Sequence, residues 1–207
     1  MAKSNNQNFP PIRTISDFKS TLTGGGARSN LFEVELSFPN GAPINDPDGV
    51  ISKSKFLVKS AALPASQVNF LPVPFRGRVL NVAGDRTFES WTITVINDTD
   101  FKIRTAFEQW VNYINNVASN RGETNPSNYQ ADATVFQLDR NGEVLRYYSF
   151  YDVFPTAVSQ IPLAYDTDSV QEFTVEMQIL YWEARVGNSP VVTGNNTGSQ
   201  NIVSDVE

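Results

Sequence analysis

Residues 88–96 read Phe88-Glu89-Ser90-Trp91-Thr92-Ile93-Thr94-Val95-Ile96, and this stretch decides the class of fold. Trp91, Ile93 and Val95 take one parity and Ser90, Thr92 and Thr94 the other. A period of two is what a strand needs to put one face in a core and the other in water. The pattern recurs on both sides. In residues 31–38, Phe32, Val34, Leu36 and Phe38 alternate with Glu33, Glu35 and Ser37. Over residues 170–182, Phe173, Val175, Met177, Ile179 and Tyr181 oppose Glu172, Thr174, Glu176 and Gln178. Residues 131–138 and 144–154 read as two further strands joined at Asp139-Arg140-Asn141-Gly142, because Asn-Gly tolerates positive φ at both positions. Another strand is expected around residues 55–61, after a Pro- and Asp-containing loop over residues 39–48.

One segment changes period. From Phe101, the apolar residues Ile103, Phe107, Trp110, Val111, Ile114 and Val117 follow helical spacing. Asp98 or Thr99 is placed to cap the first amides, and Asp100 to complement the helix dipole. The fold class is therefore mainly β: an antiparallel β-sandwich or barrel-like subunit with one flanking α-helix.

Composition removes most catalytic chemistry. The 207 residues include no His and no Cys, which excludes Ser-His-Asp and Cys-His sites, His-ligated zinc, thiolate chemistry and disulfides. A net charge of −6 argues against broad attraction to phosphate backbones. Charged residues are 18% of the chain, below the roughly 25% usual for soluble domains, and a surface so poor in charge suits a protein covered by partners. No apolar run approaches the roughly 20 residues that span a bilayer. The opening Met1-Ala2-Lys3-Ser4-Asn5-Asn6 leads into no hydrophobic segment, so no signal peptide is expected.

Fragments that resemble chemical motifs fail on spacing. Asp46-Pro47-Asp48-Gly49 looks like part of a calcium loop, but Lys55 stands where a liganding Glu is needed, so a solvated turn is the expectation. Gly24-Gly25-Gly26 is not followed by Gly-Lys-Ser/Thr and reads as a connector, not a phosphate loop. Asp166 with Asp168, or Glu172 with Glu176, are neighbours along one strand face and do not straddle a sugar. The Asn-x-Thr matches at Asn97 and Asn195 mean little without secretion. Trp91 and Trp110 fall on apolar faces and are expected in the core. Trp182 shares the parity of Glu176 and Gln178, so it is either a local cover or a contact with another subunit. Long strands with few charges also leave edges to be closed, and closure between copies of the chain points to an assembly protein.

Around the deciding stretch, Val82-Ala83-Gly84-Asp85-Arg86-Thr87-Phe88 runs into Glu89-Ser90-Trp91-Thr92-Ile93-Thr94-Val95-Ile96-Asn97-Asp98, and this run closely resembles the tail tube proteins of contractile-tailed bacteriophages. Asn30-Leu31-Phe32-Glu33-Val34, Ala61-Ala62-Leu63-Pro64-Ala65, Phe154-Pro155-Thr156 and the run through Leu180-Tyr181-Trp182-Glu183 resemble the same family in the same order. Pro72-Val73-Pro74-Phe75-Arg76-Gly77-Arg78 looks like a linker before the central motif. The resemblance covers residues 29–183 as a tail tube domain, between a flexible extension over residues 1–28 and a flexible tail over residues 184–207. These extensions and the long loop after Phe38 depart from the compact family pattern.

The resemblance implies a structural virion protein, not an enzyme, that needs no cofactor or metal. Hexameric rings would share a continuous inner β-barrel and stack into a tube that conducts DNA into the host. The implied partners are further copies of itself, the tail sheath protein and the baseplate proteins that initiate the tube. The tape measure protein and DNA would pass through the lumen without specific binding. The protein would be made in the host cytoplasm and reside in the virion tail, without a membrane anchor. Gly84, Asp85 and Arg86 are expected to form a structured turn at a subunit or ring contact, with Trp182 as a further contact. Glu172, Thr174 and Glu176, or Glu33 and Glu35, are expected to face the channel. The alternatives are the tube of a DNA-free contractile injection particle and a carbohydrate-binding β-sandwich, the latter needing exposed aromatics on a concave face.

Overall fold

A computed structural model of the chain describes residues 13–166 and 168–186, so most of the expected C-terminal tail lies outside the described residues. The elements are α1 (Ile15–Thr21), a 3-10 turn (Thr23–Gly25), β1 (Phe32–Leu36), α2 (Pro47–Leu57), β2 (Val58–Ala61), β3 (Ser66–Phe75), β4 (Arg78–Phe88) and β5 (Trp91–Ile96). There follow α3 (Lys102–Ile114), β6 (Asn115–Asn116), β7 (Arg121–Gly122), α4 (Pro126–Tyr129), β8 (Ala131–Leu138), β9 (Val144–Val158), β10 (Glu172–Gln178) and β11 (Tyr181–Val186).

The body is built on antiparallel pairing in the order β1-β8-β9-β10-β5-β2, with β11 added to β9. One strand makes two sheets of this path. The first part of β9 lies between β8 and β11, with Phe150 opposite both Ala133 and Trp182. Its last part pairs with β10, Phe154 opposite Gln178 and Val158 opposite Val175. Between them the register slips, from Phe150↔Ala133 to Val153↔Ala131, and Asp152 adopts a φ of 55°. An extra residue kinks a strand and raises its twist, which lets one chain segment leave one sheet and join another.

The inner faces of the two sheets meet over the core. Val34, Leu36, Ala133, Val135 and Phe150 come from the β1-β8-β9 side, and Trp91, Ile93, Val95, Phe173, Val175 and Met177 from the β5-β10 side, all buried. Trp91 stacks on Phe150 across the sandwich, with ring centroids 4.4 Å apart and planes 7° from parallel. Helix α3 covers the core with Ile103, Ala106, Phe107 and Trp110, and Phe38 packs edge-on against the Phe107 and Trp110 rings. The Trp110 indole N–H donates to the Tyr129 carbonyl at 2.7 Å, so this large side chain is buried without stranding a polar atom.

Four local expectations change. A second helix, α2, fills residues expected to be loop and strand, and the supposed calcium-loop fragment is its start. Asp46 caps it by accepting from the Gly49 amide at 3.2 Å, with Pro47 in the first turn, where its missing N–H costs nothing. Lys102 and that amide hold the Asp46 carboxyl below the usual carboxylate range. Helix α3, by contrast, has no side-chain cap: Phe101 begins it in the left-handed region, while Asp98 and Asp100 both pair with Lys53 of α2. The loop before β9 has positive φ only at Gly142, and its amides at Asn141 and Glu143 bond the Asp139 carboxylate. Finally, residues 170–182 are not one strand. The pattern breaks at Leu180, whose amide bonds Tyr151, and the parity reverses: Ile179 is buried, Tyr181 faces out and Trp182 turns in.

Because Phe150 sits on the shared strand and against Trp91, Phe150→Ala is expected to cost about 3–5 kcal/mol of unfolding free energy, read from urea denaturation of the dissociated subunit. A loss below about 1 kcal/mol would show that the stack is not what joins the sheets.

Candidate assembly interface

Strands β2 and β5 do not end at the body. They pair at Val58↔Val95 and Ala61↔Ile93, the Ala62 amide bonds Thr92, the Glu89 amide bonds Ala65, and pairing resumes at Ser66↔Phe88. The result is one long hairpin whose root is in the sheet and whose outer part, β3 and β4, stands free as an arm. The ten residues of β3 give it a length of about 30 Å. It closes at Arg76-Gly77, both with positive φ (46° and 82°), the two-residue geometry that matches strand twist.

Register defines the two faces of the arm. Leu71, Val73 and Phe75 share one with Val82 and Leu80, and Phe70, Pro72 and Pro74 share the other with Val79. Nearly every residue is exposed, including Phe70 (66%), Leu71 (61%), Phe75 (67%) and Leu80 (63%). Each such side chain gains about 1.5–3 kcal/mol on full burial, and a contiguous apolar surface of this extent marks an interaction site. Residues 72–78, expected to be a linker, are instead the outer end of this arm. With apolar side chains on both faces there is no alternation to detect, and the usable signal was Arg76-Gly77 between two apolar runs.

Gly84, Asp85 and Arg86 lie in β4 of this arm, not in a turn. Pairing passes from Phe70↔Ala83 to Val68↔Arg86, so β4 carries an extra residue there. A Cβ at Gly84 would come within 3.3 Å of the Asn69 carbonyl oxygen, a tight approach that glycine avoids at the bulge.

Trp182 lies at the arm's root. Its ring packs edge-on against Phe88, the last residue of β4, at 6.3 Å, and against Tyr148 at 5.8 Å. Its indole N–H is buried and, among the described residues, lacks a hydrogen-bond partner. The next aromatic pair, Tyr151 and Tyr181, stacks at 4.7 Å, and burial pushes both hydroxyls up from their ordinary range.

The expected channel residues divide between the sheets. Glu172, Thr174 and Glu176 are on β10, in register with Ile96, Thr94 and Thr92 of β5, and Ser60 of β2 lies opposite Thr94. Apart from Ile96, their face of the sheet, outward from the core, is polar. Glu172 pairs with Lys59 at 2.6 Å, and Glu176 accepts from the Ser90 hydroxyl at 2.8 Å. Glu33 and Glu35 are on β1, outward from the other sheet, and Glu35 pairs with Lys55 at 3.0 Å. In a sandwich the outward faces look in opposite directions, so the two sets cannot line one surface.

Among the described residues, three body strands pair on one side only: β1 with β8, β2 with β5 and β11 with β9. At the seam between β1 and β2 lies a shallow cleft of about 500 Å³, lined by Phe32, Ala61, Leu63, Thr92 and Val135. It brings no acid–base pair together, and among the described residues no group of three or more Asp and Glu could hold a metal.

Residues 27–185 match the family model described as phage tail tube protein. The chain is 34% identical over 167 residues to tail tube protein gp19 of Enterobacteria phage T4, covering 78% of this chain and 93% of that protein. It is 30% identical over 176 residues to the tail tube protein of Serratia phage KSP90, covering 84% and 97%. The fold is similar to a chain in the anti-feeding prophage baseplate, with a TM-score of 0.58, 13% identity and coverage of 78% and 96%. It is also similar to a chain in the sheath–tube complex of an extracellular contractile injection system, PVC, with a TM-score of 0.55, 14% identity and coverage of 82% and 97%. A β-rich body with open edges and an apolar arm meets that sequence match over most of its length: the chain belongs to the phage tail tube protein family.

Proposed function

We propose that this tail tube subunit forms hexameric rings that stack inside a contractile sheath and conduct DNA out of a phage particle. The observation that carries the assembly reading is the arm, an apolar ribbon exposed on both faces that the described residues of its own chain do not cover. The body edges at β2 and β11 supply the remaining sites for joining copies, because unpaired strand edges call for a partner strand. The outward face of Ser60, Thr92, Thr94, Glu172, Thr174 and Glu176 faces the lumen. Its small polar side chains and carboxylates repel phosphate instead of capturing it. Glu33 and Glu35 then face away from the channel. Gly84, Asp85 and Arg86 belong to the contact between copies, with Trp182 holding the arm's root beside it. The sheath protein packs outside, baseplate proteins initiate the tube, and the tape measure protein passes within. The subunit is made in the host cytoplasm, ends in the virion and performs no catalysis.

The relatives at 30–34% identity are phage proteins, which favours a DNA-carrying tail over a DNA-free injection particle. The carbohydrate-binding alternative loses its support, since Trp182 packs against Phe88 and Tyr148.

Negative-stain electron microscopy of the purified protein, at low and high concentration and with its baseplate, tests the assembly reading. Six-fold rings or hollow stacked tubes are expected; monomers throughout would leave only the fold. Arg86→Ala is expected to raise the concentration needed for assembly, measured by sedimentation, while leaving the melting temperature of the subunit unchanged. Normal assembly would remove Arg86 from the contact. Reversing both Glu172 and Glu176 to Lys is expected to leave tubes intact and slow genome delivery, followed as DNA entry into cells. Failed assembly would instead make that face interfacial.

A further inference from the structure

We propose that the arm engages a second copy of this chain from one side only, by strand addition along the outer edge of β4, because Pro72 and Pro74 close the outer edge of β3. The proposal rests on the self-assembly reading above and adds the polarity of the contact.

Register supplies the geometry. In a two-residue hairpin the flanking pair, here Phe75↔Arg78, exchanges both backbone bonds, and bonded pairs then alternate with non-bonded ones. Val73↔Leu80 and Leu71↔Val82 are therefore bonded. Pro74↔Val79, Pro72↔Asn81 and Phe70↔Ala83 are not, and their amides and carbonyls point out of the ribbon. Proline has no N–H, so β3 has lost the outward donors at positions 72 and 74, and a rigid ring stands in place of each. Opposite them, Val79, Asn81 and Ala83 on β4 keep both outward groups. They recur every second residue, the repeat a partner strand needs. Among the described residues, no backbone bond outside the ribbon satisfies them.

Charge selects the occupant. The arm carries Arg76, Arg78 and Arg86 against Asp85 alone, in a chain whose net charge is −6. A basic arm on an acidic body favours arm to body between copies. Pairing two arms along their β4 edges would instead bring arginines together. An arm that meets a different surface on the next copy makes a heterologous contact, the kind that closes rings or propagates filaments. One open edge per arm also limits each to one partner strand, so the exposed ribbon does not template aggregation from both sides.

Asn81→Pro in the full-length chain removes one outward donor and spares the arm, because position 81 gives no bond to Pro72. Asn81→Thr removes the same side chain and keeps the donor. The expected result is that Asn81→Thr assembles at the wild-type concentration while Asn81→Pro needs about tenfold more, the equilibrium weight of one lost backbone hydrogen bond. Equal assembly of Asn81→Pro and wild type, or equal loss in both variants, overturns the proposal. Hydrogen exchange on the wild-type protein is the second measurement. The amides of Val79 and Asn81 are expected to slow by at least about a hundredfold on passing from subunit to tube. Unchanged exchange at these amides in well-formed tubes overturns one-sided pairing alone, whereas a wild-type chain that never assembles overturns the tube reading beneath it.

Discussion

The passage of β9 from one sheet to the other is the constraint on which the rest of the structure depends. The kink at Asp152 lets the first part of the strand pair with β8 and β11 and its end pair with β10. Phe150, just before the kink, stacks on Trp91 of the opposite sheet and pins the two layers face to face. Once that contact is made, the outward directions of both sheets are set. Glu172 and Glu176 then look away from Glu33 and Glu35, and the strands either side of the arm leave the body at the β2–β5 edge. A sandwich held at its centre can leave its edges open, and open edges are the working parts of a subunit that must join others.

The arm and the body divide the energetics. The body buries Trp91, Phe150, Phe173 and Met177 within one chain, and α3 closes the core with Phe107 and Trp110. The arm leaves Phe70, Leu71, Phe75, Val79 and Leu80 in water, a cost that the proposed contact between copies would remove. Trp182 joins the two parts by packing on Phe88 at the arm's root, so the arm's direction is coupled to β11. The small charge fraction of the chain fits this division, since a subunit that buries much of its surface against copies has less need of charge.

Much of the body was legible because alternation and helical spacing report burial directly. Val34 and Leu36, the Trp91-Ile93-Val95 set, and Ile103, Phe107 and Trp110 are all buried as their spacing requires. Helix α2 was not legible, because only Val50 and Ser54 on it are buried while Phe56 is exposed. Its mark was the Asp46-Pro47 start, which imitates a metal loop. The exposed apolar residues of the arm were hidden for a different reason. An apolar strand in water and an apolar strand in a core have the same sequence, and two prolines make either look like a linker.

The sequence by itself determined the class of fold, the core faces, the exclusion of His and Cys chemistry, and the family, since these follow from residue type, short-range spacing and order along the chain. Tertiary structure alone decided which polar faces share a surface, where the parity reverses at Leu180, and that Gly84, Asp85 and Arg86 sit on a projecting ribbon. The physical reason is that side-chain direction depends on bulges and strand partners. One extra residue in a strand turns everything beyond it to the other face, and period alone cannot place it.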